Sequence, residues 1–329
     1  MNSSLDFGIL QPFVDDDKVT DINYNGIQCW IDHLKQGRFT VEPFTAHEFM
    51  HQLAFKLANR VNLPFNTSSP VVEAEFGDLR ISMVHASVCP HGMSLSLRKT
   101  PATCRLNDKE MLKSGYCEAW VIQFLKDAVL RKRNILVSGL PGAGKTELVK
   151  YLMQFIPAAQ RVITIEDTLE LRYGDLYPHK DHVMMKISDH FDVPRAIRTS
   201  LRQRPDWICV SEVRGIEVVA LMQSVSTGAN LMSTIHAESA AQIPQRILHM
   251  MPGMHLTDAA MRYLIYEAID IGIHLECRIG PNGIKRKIRE IVMYYVNDQD
   301  ELKLLPIYSS EKRGSVMTMN DLPKKGGRL

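Results

Sequence analysis

Two kinds of hydrophobic patterning divide the chain. In the first hundred residues apolar and polar positions alternate over short runs. Val19-Thr-Asp-Ile-Asn-Tyr-Asn-Gly26 and Gln28-Cys-Trp-Ile31 flank an Asn-Gly pair, which predicts two strands joined by a turn. Phe49, Leu53, Leu57 and Val61 then recur every fourth residue, a helical stripe. Thr45-Ala-His-Glu48 reads as its capping box, and Asn62-Leu-Pro64 ends it. Phe76 to Val84 and Ser94 to Arg98 read as further strands. From about Met111 the pattern becomes continuous apolar runs separated by helical stretches. The predicted strands are 134–138, 162–167, 183–187, 207–213, 230–236, 269–275 and 288–295. The helical stretches include Pro194–Gln203, Ile216–Ser226, Ala240–Met251 and Thr257–Ala268. Such alternation predicts an α/β unit, a mostly parallel sheet with helices on both faces. The expected organisation is an α+β domain over 1–100, a linker over 101–112, the α/β domain over 113–308, and a polar, glycine-rich, disordered tail over 309–329. No internal repeat is visible.

Composition narrows this only slightly. A length of 329 residues fits about two domains, and 45% hydrophobic residues suffice for sizeable cores. The formal charge of +2 does not indicate a strongly basic nucleic-acid binder. No apolar run approaches the roughly 20 residues of a membrane span. The start, Met1-Asn-Ser-Ser-Leu-Asp-Phe7, lacks the pattern of a secretory leader. The six cysteines are scattered with no C-x-x-C pair, as expected of reduced thiols in a cytosol.

One motif carries specific chemistry. Residues 139–146, Gly-Leu-Pro-Gly-Ala-Gly-Lys-Thr, match G-x-x-x-x-G-K-[ST], the phosphate-binding P-loop. Gly139, Gly142 and Gly144 let the backbone turn its N–H groups toward phosphate oxygens, with Pro141 and Ala143 between them. Lys145 brings a cation to the β/γ-phosphates, and the Thr146 hydroxyl suits Mg²⁺. A short strand precedes the loop and a helix follows it, so the helix N-terminus adds its dipole to anion binding. ATP and Mg²⁺ are the expected ligands.

Later segments supply acids and a histidine at predicted strand ends, where open α/β sheets bind ligands. Val162-Ile-Thr-Ile-Glu-Asp-Thr-Leu-Glu170 offers Glu166, Asp167 and Glu170 to orient or deprotonate water, or to hold Mg²⁺ through water. Asp206-Trp-Ile-Cys-Val-Ser-Glu212 has the form of a Walker B strand, with Glu212 directed at Mg²⁺ and the γ-phosphate. His236, in Ser233-Thr-Ile-His-Ala-Glu-Ser239, is placed to report nucleotide state or to serve as an ordinary structural histidine. Arg195, Arg198 and Arg202 share a helix face suited to a neighbouring subunit's phosphate or an acidic interface. Arg80 and Arg98 end or punctuate strands and are further γ-phosphate candidates. A rival motif, His47-Glu-Phe-Met-His51, matches H-E-x-x-H, the zinc-hydrolase signature. Glu48 already serves the expected capping box, and no third ligand stands out downstream.

Taken in order, these segments resemble the type II/type IV secretion ATPase superfamily, specifically the branch driving conjugation, type IV secretion and tight-adherence pili. Val19–Gly26 resembles that branch's N-terminal strand and Ser96-Leu-Arg-Lys99 the strand closing its N-terminal domain. Glu166-Asp-Thr-Leu-Glu170 resembles its Asp box. Arg202-Gln-Arg-Pro-Asp206 with Glu212-Val-Arg-Gly215 resembles its arginine-to-Walker B signature, and Thr234-Ile-His-Ala237 its His box. The absence of a four-cysteine zinc insertion fits the conjugation branch.

The resemblance implies a RecA-like P-loop domain behind a smaller α+β domain, with ATP between them, in a homo-hexamer. It implies ATP hydrolysis coupled to domain rotation at the cytoplasmic face of a membrane machine, with secretion or conjugation components as partners. It implies peripheral inner-membrane association, without sequence-specific nucleic-acid binding. Under it Lys145 and Thr146 hold phosphate and Mg²⁺, Glu212 is the Walker B acid, and Glu166 or Glu170 activates water. His236 senses the γ-phosphate, and Arg80 and Arg98 contact it.

Two departures stand out. Ser211 replaces the usual glycine before the Walker B glutamate, and the loop from Thr227-Gly228 to the His box lacks His-x-Gly and is one residue short. Two other functions were weighed. A RecA-like nucleic-acid motor wants basic and aromatic channel loops, which 213 and 228–233 lack. A non-catalytic, nucleotide-gated assembly factor is an alternative that Ser211 keeps open, ranked below the motor ATPase.

Overall fold

The computed structural model describes residues 5–251, 256–280, 283–311 and 316–323. The chain divides into two compact units, one of residues 1–101 with 278–285, the other of 102–277 with 286–329.

The first unit is a six-stranded sheet with helices. Its strands are β1 Val19–Tyr24, β2 Cys29–His33, β3 Gly37–Thr40, β4 Val71–Phe76, β5 Leu79–Val84 and β6 Ser94–Lys99, in spatial order β3-β2-β1-β6-β5-β4. Every neighbouring pair is antiparallel. Period-two alternation sorts the faces. Leu79, Ile81 and Met83 of β5 and Leu95 and Leu97 of β6 enter the core, while Arg80, Ser82, Ser96 and Arg98 take the other face. Short α1 Gln11–Asp15 precedes the sheet, and α2 His47–Arg60 buries Met50, Leu53, Ala54, Leu57 and Ala58 in the same core.

Two expectations here need correction. The run from Phe76 to Val84 is not one strand: Gly77, at φ 58°, breaks it into the β4–β5 hairpin. The capping box does not form. Helix α2 begins one residue later, with Ala46 at the N-cap and no side-chain cap. The His47 ring instead meets the Tyr24 hydroxyl through Nδ1 at 2.9 Å. His47, Glu48 and His51 lie in the opening turns of α2, and among the described residues no group of three His, Cys, Asp or Glu is placed to hold a metal ion.

The second unit carries an eight-stranded sheet. Its strands are β7 Ile135–Gly139, β8 Val162–Glu166, β9 His182–Lys186, β10 Trp207–Val213, β11 Asn230–Ile235, β12 Ile271–Gly280, β13 Gly283–Val296 and β14 Leu302–Ser309. The order is β14-β13-β12-β7-β11-β10-β8-β9. From β12 to β9 the pairs are parallel, and β13–β14 is antiparallel. The helices are α3 Asp108–Ser114, α4 Ala119–Leu130, α5 Lys145–Met153, α6 Tyr173–Leu176, α7 Val193–Leu201, α8 Glu217–Ser226, α9 Ile243–His249 and α10 Asp258–Ala268. Side-chain caps open three of them: Asn107 for α3, Asp192 for α7 and Thr257 for α10. Alternate residues of β7 enter different cores. Ile135 and Val137 join the one that holds α4 and α5, and Leu136 joins the one that holds α7 to α10. The sheet is thus covered on both sides. Among the described residues no helix is long and apolar enough to cross a membrane.

The segment expected as a linker is docked. The Lys150 ammonium donates to the Thr103 carbonyl at 3.3 Å, and the Arg105 N–H donates to Glu147 at 2.9 Å. The expected disordered tail differs as well. Ser309 ends β14, and Met319 and Leu322 lie in the core with α4 and α5. Residues 312–315 and 324–329 of that tail lie outside the described residues.

Candidate functional site: a P-loop facing acidic strand ends

Parallel strands β7, β8, β10 and β11 all end on one edge of the sheet, and the chemistry identified in the sequence gathers there. The loop after β7 is shaped by its backbone. Gly139, Gly142 and Gly144 have φ of 150°, 76° and 89°, and Gly144 is the N-cap of α5. Space as well as torsion demands glycine at 139, because a β-carbon there would lie 2.8 Å from the Leu275 carbonyl oxygen of β12. Leu140, Pro141 and Gly142 are exposed at the tip and Ala143 is buried.

Lys145 is only 9% exposed. Its ammonium donates to the carbonyls of Gly139 at 2.9 Å and Leu140 at 3.4 Å. Burial lowers its pKa, against the opposing pull of Glu212 and Glu170. The Thr146 hydroxyl donates to Glu170 Oε2 at 3.0 Å, so the expected Mg²⁺ donor and an Asp-box acid already touch.

The two candidate bases separate clearly. Glu166 is fully buried at the end of β8. It accepts the N–H groups of Glu170 at 2.8 Å and Leu171 at 2.6 Å on Oε2, and that of Arg172 at 3.3 Å on Oε1. Burial raises its pKa despite those three donors. It shapes the loop that presents Glu170.

Glu212 lies near the end of β10, 14% exposed at its side chain, and holds two partners. Oε1 meets His236 Nε2 at 2.6 Å, and Oε2 accepts from Arg214 Nε. His236 Nδ1 faces the Lys145 ammonium at 3.4 Å. A neutral ring with its proton on Nε2 satisfies both contacts, donating to Glu212 and accepting from Lys145. Beyond it, Ala240 N–H reaches Glu290 and the Ala240 carbonyl accepts from Tyr294, tying this loop to β13.

The oxygen donors Thr146, Glu170 and Glu212 have the hard chemistry Mg²⁺ requires. An Mg²⁺ ion held by one or two such groups takes its remaining ligands from phosphate and water.

Arg195 and Arg198 lie on α7 and Arg202 caps it, all on its exposed side, and Arg195 donates to the His190 carbonyl at 2.9 Å. In the first unit Arg80 and Arg98 are register partners on β5 and β6, and Arg98 Nε meets Asp21 Oδ1 at 2.7 Å. Ser211 is buried in β10, its carbonyl accepting from Thr234 Oγ1 at 2.7 Å.

Three further contributors were not read from the sequence. Arg286 of β13 donates to the Gly142 carbonyl at 2.8 Å from 144 positions away. No local pattern signals it. His274 of β12 is buried with Nδ1 3.0 Å from the Ser138 hydroxyl below the P-loop, and burial lowers its pKa. Arg214 stood inside the quoted Glu-Val-Arg-Gly signature, and its spacing of two from Glu212 was the available signal.

Comparison with known proteins shows the family and the fold. An uncharacterized protein of Bacillus anthracis is 28% identical over 82% of this chain, and the chain spans 62% of that relative's length. The type IV secretion system protein VirB11 of Brucella suis is 28% identical, with 92% of each chain covered. The solved structure of the pilus retraction motor PilT with bound ADP aligns over 94% of this chain and 85% of its own, with TM-score 0.63 and 19% identity, which shows a shared RecA-like fold. The model of the family described as Type II/IV secretion system protein matches residues 63–278, more than half of the chain, and the protein belongs to that family.

Proposed function

We propose that the protein is a P-loop ATPase whose hydrolysis of ATP drives a type IV secretion, conjugation or pilus machine. The observation that carries this is the convergence at one sheet edge. A glycine-built anion loop ends in Lys145 and Thr146, Glu170 touches Thr146, and Glu212 with His236 stands beside Lys145. A cation, a hydroxyl and three ionisable groups within one or two contacts of each other are what phosphoryl transfer to water requires.

In this reading the α5 N-terminus and the loop N–H groups bind the β- and γ-phosphates. Lys145 leaves the carbonyls of Gly139 and Leu140 for the phosphate oxygens. Thr146 and, through water, Glu212 hold Mg²⁺, which when bound neutralises charge on the phosphates. Glu170 takes the proton of the attacking water as the bond between the γ-phosphorus and the bridging oxygen breaks. His236 senses whether the γ-phosphate is present. The resemblance assigns Arg80 and Arg98 to the γ-phosphate, and the shared helix face of Arg195, Arg198 and Arg202 suits a neighbouring subunit's phosphate or an acidic interface. A homo-hexamer peripheral to the inner membrane, with membrane-embedded components as partners, completes the proposal.

The test is ATP turnover by wild type and Lys145→Ala, with nucleotide binding followed separately. The expected result is Mg²⁺-dependent turnover in wild type and a loss of at least about a hundredfold in the variant, with the fold retained. Equal turnover in the two proteins, with membranes and partner components supplied, overturns it. Native mass with ATP checks the hexamer.

A further inference from the structure

At the carboxyl ends of β8, β10 and β11 the charged side chains form a continuous chain. Asp167 Oδ2 meets Arg214 Nη1 at 3.1 Å, Arg214 Nε reaches Glu212 Oε2, and Glu212 Oε1 meets His236 Nε2 at 2.6 Å. His236 Nδ1 faces Lys145 at 3.4 Å. Both Glu212 oxygens are therefore engaged in the structure described here. A cation approaching Glu212, directly or through water, has to take one of them.

We propose that Arg214 is a positioning residue, an internal counter-ion that occupies Glu212 until the divalent cation of the nucleotide displaces it. It thereby sets the cation concentration at which the site becomes competent. This rests on the ATPase reading above and adds to it a regulating residue.

Three features single out Arg214 as the partner that yields. Its side chain is 59% exposed, against 14% for Glu212, so the guanidinium swings into water at little cost. Its backbone does not move with it. The N–H groups of Arg214 and Gly215 both donate to Glu217 Oε1, at 2.6 and 2.8 Å, which pins the turn and leaves the side chain as the mobile part. Asp167 gives the displaced guanidinium a second partner, and Asp167 is itself fixed by the Thr168 N–H on Oδ1 at 2.9 Å. Two carboxylates on separate loops thus hold one planar, forked cation, a geometry that a guanidinium fits and an ammonium does not.

Charge supplies the switching force. A guanidinium and a divalent cation on the same carboxylate repel one another at a few ångströms.

The experiment uses the full chain, a non-hydrolysable ATP analogue at saturation, and Mn²⁺ as a paramagnetic stand-in for Mg²⁺. The Mn²⁺ dissociation constant is read by electron paramagnetic resonance for wild type, Arg214→Gln and Arg214→Lys, with thermal melts to confirm folding. The expected result is Mn²⁺ binding about tenfold tighter in R214Q, the gain from removing one charge-assisted hydrogen bond that competes with the ion. R214K is expected to gain less, because a point charge holds one carboxylate at a time. The difference shrinks at high salt, as it must for a partly exposed ion pair. Equal or weaker Mn²⁺ binding in folded R214Q overturns the proposal, since Arg214 then supports the loaded site. Should R214Q not fold, R214K decides: unchanged or weaker affinity is the overturning result. Failure of wild type to bind the analogue at all removes the ATPase reading and this proposal with it, a result separable from a change confined to Mn²⁺.

Discussion

The P-loop and the acidic strand ends share one edge of a sheet, yet they are built by opposite means. The loop over 139–146 is defined by its own backbone: three glycines at positive φ, and a lysine folded onto carbonyls five and six residues before it. The charged cluster is defined by side-chain partners, most of them distant in sequence. Glu212 is held by His236, Arg214 by Asp167, and Glu170 by Thr146. A backbone-built loop keeps its shape whether or not phosphate is present. A side-chain-built cluster of partly exposed ion pairs rearranges when a new charge arrives, because each pair is worth little on its own. In the proposed function the first region therefore holds the ligand and the second responds to it. Substitutions should divide along that line, those at Glu170 and Glu212 affecting turnover and those at the loop glycines and the buried Glu166 affecting stability.

The largest effect is expected at Glu170. Glu170→Gln keeps the shape of the side chain and removes the base. Turnover should fall by about 10²- to 10⁴-fold, the range for a general base, with analogue binding retained. Glu166→Gln should leave most turnover in place and instead lower the melting temperature, because Glu166 spends both oxygens on the backbone of residues 170–172. Steady-state kinetics beside thermal melts separate the two. Loss of turnover in E166Q as deep as in E170Q, without loss of stability, would reverse the assignment.

That pair also shows what the sequence could and could not reveal. The motif at 139–146 was legible because all its parts are local: glycine torsions, a lysine, a hydroxyl and a helix start. The buried strands were legible from their apolar runs, since parallel strands covered on both faces carry little else. Choosing between Glu166 and Glu170 was not possible from spacing. Only the fold shows that β8 ends at Glu166, one residue short of the predicted 162–167, with that acid buried beneath its own loop. Arg286 was invisible for a related reason, since nothing near residue 286 refers to Gly142 until β13 takes its place two strands from β7. Strands β3, β4 and β14 were missed where polar residues interrupt short apolar runs, and the capping box failed where helix α2 began one residue later and the His47 ring met Tyr24.

Next in size is a contrast inside the loop. Gly139→Ala meets both a strained torsion and the Leu275 carbonyl oxygen at 2.8 Å, a backbone atom that β12 holds in the sheet. The expected cost is about 3 kcal/mol. Gly142→Ala meets no atom within 4 Å and bears only its torsion, so about 1 kcal/mol is expected. Chemical denaturation of the two variants measures the difference. Equal destabilisation would show that torsion alone governs the loop and that contact with β12 is immaterial.

The smallest effect is a slope. Burial raises the pKa of Glu166 above its ordinary value of 4.5, overriding three N–H donors. In the window from 4.5 up to the raised value the native state keeps a proton that the unfolded chain has already released. The native state then binds more protons than the unfolded one, so stability from this group is greatest below 4.5 and falls as pH rises through the folded value. Glu166→Gln has no such proton and no such slope. Subtracting the variant's unfolding free energy from that of wild type cancels the other titrating groups. The difference should decline with rising pH across that window and level off above it. A difference that climbs instead would mean the three backbone donors outweigh burial. Glu166 would then rest in the structure as a stabilised anion, closer in character to the acids on the responsive side of the site than to the frame beneath them.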